Sequence, residues 1–231
     1  MTFNHLVLIG GGHTNVLLMK KWLMCPKLMP EIPVSIISRD SHLVYSAMFP
    51  SVLSKSISLE ESLIDIQSLA KNAKVSFIEE EVKDIDFNLK KIVLNNRPPV
   101  NYSKLVLNYG SQTIIPKEFE SLVKNRNAFS IKPFLRAYDL ILEEDIFDSV
   151  NELPFVIVGS GLAAIEVSYA LRKRWRDRPL KLLCDSRKIN NTILKSLRNS
   201  NIDLVEKLNF QYGKILLCTC LLYTSPSPRD S

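Results

Sequence analysis

The sequence predicts an α/β fold assembled from strand-turn-helix-strand units that build parallel sheets. Three observations predict it. The chain has 231 residues, 46% hydrophobic and 23% charged, which are ordinary globular proportions. Short apolar runs of strand length alternate with longer helical patterns. Only seven glycines occur, and five of them sit in two clusters, Gly10-Gly11-Gly12 and Gly159 with Gly161. Each cluster directly follows an apolar run and directly precedes a helical pattern.

The elements follow in order. His5–Ile9 is an apolar strand ending in the three glycines. A helical pattern runs through Val16, Leu17, Met19, Trp22 and Leu23, and Pro26 and Pro30 end it. Val34–Ile37 is a second buried strand before Ser38-Arg39-Asp40. This is β-α-β in the compass that makes a parallel sheet. Ser58-x-x-Glu61 reads as a capping box, opening a helix through Leu63, Ile66, Leu69 and Ala70. Residues 75–78, 82–87 and 91–94 read as short strands with Asn88 and Asn95-Asn96 in turns. Leu105–Leu107 is a further strand, ending at Asn108-Tyr109-Gly110. Residues 114–150 read as a mostly polar connection with one helix from Pro133 to about Glu144, proline being favoured in the first turn. The opening pattern then returns: strand Phe155–Val158, turn Gly159-Ser160-Gly161, helix Leu162–Trp175, strand Leu180–Cys184, then Asp185. Asn191 or Thr192 caps a helix through Leu194 and Leu197. Strands at 202–205 and 214–217 follow.

Composition excludes several classes. No apolar run approaches the ~20 residues of a membrane helix, and a cleaved signal peptide is not expected. The net charge is +6, from 30 basic and 24 acidic residues. The cluster Arg172, Lys173, Arg174, Arg176 and Arg178 reads as a solvated helix end. No aromatic residues interleave it for base stacking, so nucleic acid is not an expected partner. Cys25, Cys184, Cys218 and Cys220 are sparse and unpatterned, which suits a reducing compartment without a disulfide framework. His5, His13 and His42 lack partners at ligand spacing, and no metal is assigned.

A strand entering a helix through glycines makes an anion site, because the helix start presents free N–H groups and a partial positive charge. The first glycine permits the tight turn, the second lets a pyrophosphate approach the backbone, and a small third residue lets helix pack on strand. Gly159, Gly161 and Ala164 fill the three positions of the second turn. Asp185 ends the next strand, placed to accept from ribose hydroxyls and so to favour NADH. Arg187 works against that preference, since a nearby arginine accommodates a 2′-phosphate. In the first turn Gly10 and Gly12 match, while Asn15 stands where Gly or Ala is expected, and the next strand ends in Ser38-Arg39-Asp40. The fold expected is two Rossmann-like dinucleotide-binding domains. Two dinucleotide sites pair most economically as FAD and NAD(P)H, with hydride passing from nicotinamide to flavin.

These motifs resemble the pyridine nucleotide-disulfide oxidoreductase superfamily, most nearly its type II NADH dehydrogenase branch. Gly10-Gly-Gly-His-Thr-Asn15 with Tyr45-Ser-Ala-Met-Phe-Pro50 is similar to the NADH-dehydrogenase-like module fused to selenide, water dikinase. The resemblance covers residues 4–219. It implies an FAD-binding domain over 1–113, a connection over 114–150, and an NAD(P)-binding domain over 151–219 inserted in the first. It places Gly10, Gly12 and His13 along the FAD pyrophosphate and Arg39 near its adenosine. Tyr45 to Pro50 approach the flavin, and Gly110 matches the family's later glycine segment. It also places Gly159, Gly161 and Ala164 at the NAD turn and gives Glu166 a catalytic position at the nicotinamide ribose. It implies a cytoplasmic protein, membrane-peripheral at full length, that reduces a small quinone-like acceptor. Ser46, Ala47 and Met48 stand where the disulfide reductases carry their redox cysteines, so dithiol chemistry is not expected.

Residues 220–231 match one reading frame of a transposase adapter used in DNA library preparation, and are read as a non-native tail. The family's completing Gly-Asp flavin segment and interface domain would then lie beyond residue 219. Trp22, Trp175 and Cys184 are expected as packing residues. Alternatives to a turnover enzyme are a nucleotide-binding redox module within a fusion protein, or an inactive fragment.

Overall fold

The computed structural model describes residues 4–146, 152–219 and 221–223. In chain order, the elements through residue 72 are β1 (Leu6–Ile9), α1 (His13–Met24), β2 (Val34–Ser38), β3 (His42–Val44), α2 (Phe49–Leu53), β4 (Leu63–Asp65) and α3 (Ile66–Asn72). Next come β5 (Ser76–Glu79), β6 (Val82–Asp86), β7 (Lys91–Leu94), β8 (Val100–Asn101), β9 (Lys104–Leu107) and β10 (Ser111–Thr113). The remainder are α4 (Lys117–Lys124), β11 (Ala128–Ser130), α5 (Phe134–Ile146), β12 (Phe155–Val158), α6 (Leu162–Arg174), β13 (Leu180–Leu183), α7 (Asn191–Asn199), β14 (Ile202–Val205), β15 (Ile215–Leu217) and β16 (Leu221–Tyr223).

Two compact units form. The first takes in the described residues up to Tyr45, together with Leu63–Ser111 and Tyr223. The second holds Ser46–Ser62 and the described residues of 112–222. Sequence patterns keep 46–62 with the first stretch, but its side chains pack elsewhere. Phe49 is buried and stacks on Phe134 with ring centroids 4.6 Å apart. Arg174 donates to the Leu53 carbonyl at 2.9 Å.

In the first unit, four parallel strands run in the order β5-β2-β1-β9. Every residue of β1 and β2 is buried, as strands covered on both faces require. One face packs Leu8 and Ile36 against Val16, Met19 and Trp22 of α1 and Ile66 and Ala70 of α3. The other packs Val7, Ile9 and Ile37 against Ile92, Leu94 and Tyr102. Those last residues belong to or follow the antiparallel sheet β6-β7-β8.

In the second unit, five parallel strands run β11-β15-β12-β13-β14. Val156 and Val158 face Phe119 of α4 in one cluster with Ile215 and Leu217. Phe155 makes an edge contact with Trp175, centroids 5.0 Å apart. The two sheets share one plan. Ile9 pairs with Ile37 and Leu107 as Val158 pairs with Leu183 and Leu217. In each, the strand before the glycines has its sequential neighbour on one side and a later-returning strand on the other. That is where strand order reverses and ligand crevices open.

Three expectations need correction. The Ser58–Glu61 capping box exists, with Ser58 N donating to Glu61 Oε2 at 2.7 Å and Glu61 N to Ser58 Oγ at 3.3 Å. It opens only the single turn Glu60–Ser62, because Leu63–Asp65 pairs antiparallel with His42–Val44. The helix starts later, under an Asp65 cap that accepts from Ser68 N at 2.8 Å. Second, the presumed connection after residue 114 contains α4 and β11, and β11 joins the second sheet beside β15. At three residues, Ala128–Ser130 is too short for its period to show in sequence.

Third, the basic cluster is not a uniformly solvated helix end. The side chains of Arg174 and Arg178 are 1% and 0% exposed. Arg174 makes a bidentate pair with Asp145 at 2.8 and 2.7 Å, and Arg178 pairs with Glu144. Arg178 also lies over the Trp175 and Phe155 rings, 4.6 and 5.2 Å from their centroids. Buried charge persists only when so paired. Trp22, Trp175 and Cys184 are buried packing residues. Of the stretch from residue 220 onward, only 221–223 falls among the described residues.

Candidate functional site

The first glycine turn is held by three strand ends. Gly10 N donates to the Ile37 carbonyl at 2.7 Å, Asn108 N to the Ile9 carbonyl at 2.8 Å, and Gly12 N to the Asn108 carbonyl at 3.0 Å. Gly10 has φ +88°, and a Cβ there would lie 2.4 Å from Tyr109 Cα. Only glycine meets both conditions. Gly12 is the N-cap of α1.

Asn15, the departure from the glycine pattern, is fully buried. Its Nδ2 donates to the carbonyls of Ile9 at 3.2 Å and Gly10 at 2.8 Å. It thus staples helix to strand by hydrogen bonds where a small residue would do so by contact. His13 opens α1 and stacks on Tyr45, centroids 5.2 Å apart and planes 16° off parallel. Gly110 has φ +90°, and among the described residues nothing lies within 4 Å of a Cβ built on it. Arg39 follows β2 and folds onto Asp40 at 3.1 Å, both exposed. Gly10, Gly12, His13, Asn15, Arg39, Tyr45 and Gly110 therefore all lie in the first unit. The Tyr45–Pro50 run is divided after Tyr45, its remaining residues belonging to the second unit.

The second turn repeats the geometry. Gly159 N donates to the Leu183 carbonyl at 3.0 Å and Cys218 N to the Val158 carbonyl at 2.8 Å. Gly159 has φ +149°, and a Cβ there would meet the Cys218 carbonyl oxygen at 2.5 Å. Gly161, the N-cap of α6, is extended at φ −90° and ψ 169°, and among the described residues nothing lies within 4 Å of a Cβ built on it. Ala164 is fully buried, 3.0 Å from the Gly159 Cβ position. The Ser160 hydroxyl accepts from Asp185 N at 2.8 Å, tying the turn to the end of β13.

A cavity of about 730 Å³ opens at the carboxyl ends of this sheet, lined in part by Val158, Leu183, Asp185, Arg187, Glu206 and Thr219. Asp185 accepts from Arg187 Nε at 2.9 Å and Nη2 at 3.1 Å. The Arg187 side-chain hydrogen bond holds the Asp185 carboxyl below its usual range. Glu166 lies outside that lining, exposed on α6. Burial pushes the Cys218 thiol up to about 12, and burial likewise raises Cys184. Both are neutral packing groups near pH 7 rather than nucleophiles.

Sequence reasoning missed Asn108 as more than a strand end. The Asn108 carboxamide oxygen accepts from Thr14 N at 3.0 Å and Asn15 N at 3.4 Å. An asparagine directly after a strand, facing a glycine N-cap with no side chain of its own, was the available signal. Among the described residues there is no cluster of three or more metal-ligating side chains. Nor is any helix long and apolar enough to cross a membrane.

The fold has many structural counterparts. The reduced CoADR-RHD of Bacillus anthracis superposes with a TM-score of 0.78 at 15% identity, over 100% of this chain and 46% of that one. The water-forming NADH oxidase of Lactobacillus brevis, bound to NADH, gives 0.72 at 16% identity over 94% and 54%. NDH2 of Plasmodium falciparum in complex with NADH gives 0.71 at 16% over 96% and 56%. The chain thus spans about half the length of the structures it matches. No curated protein matches it. The family model described as pyridine nucleotide-disulphide oxidoreductase matches residues 4–211, a stretch that begins before the first glycine turn and runs past the second. On that match, and on two sheets of one plan each opening into a glycine turn, the chain belongs to the pyridine nucleotide-disulphide oxidoreductase family.

Proposed function

We propose that the chain is the dinucleotide-binding part of an FAD-dependent NAD(P)H oxidoreductase, with FAD on the first unit and NAD(P)H on the second. One observation carries the reading. Both glycine turns stand at the point where strand order reverses in their sheets, each feeding the N-terminus of a helix of 12 or 13 residues. The family match and NADH-bound structures of the same fold support it.

The residues present fit the two cofactors. At the second turn, the open face above Gly161 and the first N–H groups of α6 would hold the NAD(P)H pyrophosphate. Asp185 would accept from the adenosine ribose. Glu166 is proposed at the nicotinamide ribose. At the first turn, Gly10 and Gly12 form the cradle for the FAD pyrophosphate, His13 and Tyr45 flank it, and Gly110 lies on the strand connection beside it. Arg39 is proposed near the FAD adenosine. Flavin, when bound, supplies the chemistry of accepting hydride and passing electrons on. The protein's own residues bind, orient and neutralise.

The proposed electron acceptor is quinone-like. The support for it, and for a membrane-peripheral place, is the resemblance to the type II NADH dehydrogenase branch; for fusion to a selenide, water dikinase domain it is the resemblance at residues 10–15 and 45–50; for a cytoplasmic protein it is the sparse, unpatterned cysteines. The test is equilibrium titration with NADH and FAD, followed by anaerobic mixing of the FAD-loaded protein with NADH. Bleaching of the flavin absorbance is expected. Binding of NADH without bleaching would replace the oxidoreductase with a nucleotide-binding module, and binding of neither would replace it with an inactive fragment.

A further inference from the structure

The two glycine turns differ in one respect that their shared plan isolates. Asn108 and Cys218 hold the same place, each donating its N–H at 2.8 Å to the last carbonyl of the central strand. Each presents its carbonyl oxygen 2.5 Å from a Cβ built on the first glycine. Their side chains diverge. The Cys218 thiol is buried, and the face above Gly161 is open. The Asn108 carboxamide instead lies against α1. Its Oδ1 accepts from Thr14 N at 3.0 Å and Asn15 N at 3.4 Å, and lies 2.2 Å from the position a Cβ on Gly12 would take.

Those two N–H groups belong to the first turn of α1, which has no intrahelical partners for them. The N-cap is glycine and offers no side-chain acceptor. A residue 94 positions away in sequence supplies the cap instead. The space above the second glycine is what such turns leave for a pyrophosphate, so here a neutral amide fills the place of an anion. Among the described residues, the buried Asn15 Oδ1 has no hydrogen-bond partner, while its Nδ2 serves the Ile9 and Gly10 carbonyls.

We propose that Asn108 is a displaceable cap: its carboxamide takes the N–H groups of the first turn that a dinucleotide pyrophosphate would take, and the pyrophosphate binds by displacing it. This rests on the reading of the first unit as an FAD site. Displacement is favourable because charge-assisted hydrogen bonds from an N-terminus are about twice as strong as neutral ones. It is not free, because the cap that is lost competes for the same N–H groups. Asn108 is thus a positioning residue that lowers dinucleotide affinity while capping α1.

The experiment compares the wild-type chain with Asn108→Ala and Asn108→Asp. Each is measured for FAD affinity by fluorescence quenching and, without ligand, for thermal midpoint. Asn108→Ala is expected to bind FAD roughly fivefold more tightly, the equivalent of one cap, and to melt earlier when ligand-free. Asn108→Asp keeps an acceptor, so its ligand-free midpoint should hold. Its charge opposes the pyrophosphate, and FAD binding should weaken by roughly tenfold or more. Weaker FAD binding by both variants would make the amide a cofactor ligand and overturn the displacement. An unchanged ligand-free midpoint in Asn108→Ala would overturn the cap. Absence of FAD binding in all three would overturn the flavin reading itself, a result distinct from either.

Discussion

Gly161→Val separates the proposed binding role of the second turn from its structural role. Gly161 has φ −90° and ψ 169°, a conformation open to valine, and among the described residues nothing lies within 4 Å of its Cβ position. The substitution therefore introduces no native-state clash. Losing a glycine N-cap costs on the order of 0.5–1 kcal/mol, and the stiffer unfolded chain returns about 0.4–1 kcal/mol. The net effect on the melting midpoint is expected within about 4 °C. Binding is different, because the isopropyl group stands where the pyrophosphate meets the helix. Two charge-assisted hydrogen bonds lost at ~1.5–3 kcal/mol each predict NADH binding weaker by about 10²- to 10⁴-fold. The assay is NADH fluorescence titration beside calorimetric melting of the same preparation. Gly159→Val is the control. There φ is +149° and a Cβ meets the Cys218 carbonyl at 2.5 Å, so the unit itself should lose ~1–3 kcal/mol or more. A folded Gly161→Val chain whose NADH affinity stays within about threefold of wild type would refute the assignment.

Other outcomes follow from named contacts. Arg187→Ala frees the Asp185 carboxylate from its bidentate partner and removes the group suited to a 2′-phosphate. The ratio of NADPH to NADH dissociation constants should rise, as measured by parallel titrations. Removing Arg178 leaves Glu144 buried and unpaired, so Arg178→Ala should lower unfolding free energy by ~3–5 kcal/mol in urea melts, with Glu144→Gln/Arg178→Met recovering much of the loss. Burial acts to raise the Asp145 carboxyl, but hydrogen bonds from Arg174, Lys55 and Trp175 override it and hold the group at about 2. Because the folded value lies below the unfolded one near 3.8, its contribution is complete above pH ~4 and is lost as pH falls through about 2. Urea midpoints taken across that window should fall more steeply for wild type than for Asp145→Asn.

What the sequence determined by itself was local and periodic. Leu6–Ile9 and Phe155–Val158 are wholly apolar because both faces of a parallel sheet are covered. The first glycine of each turn, Gly10 and Gly159, stands where no side chain is tolerated. Ala164 and Asp185 stand at fixed spacings from that turn. These signals survive without partners because they express backbone geometry and burial within one β-α-β unit. Asn15 broke the spacing rule, yet it holds the turn by donating to Ile9 and Gly10. A hydrogen-bond staple leaves no mark in a pattern read for small residues.

Only the tertiary structure decided the rest. The Ser58–Glu61 box formed as its residues promised, but pairing of Leu63–Asp65 with His42–Val44 ended the helix it would have opened. Ala128–Ser130 became a sheet strand because Ile215–Leu217 was there to pair with it. Arg174 and Arg178 look like solvent-facing charges, and are buried because Asp145 and Glu144 of α5, roughly thirty residues earlier, meet them. Asn108 caps α1 from 94 positions away. In each case the deciding partner is remote in sequence, and which remote groups meet is fixed only when the sheets close.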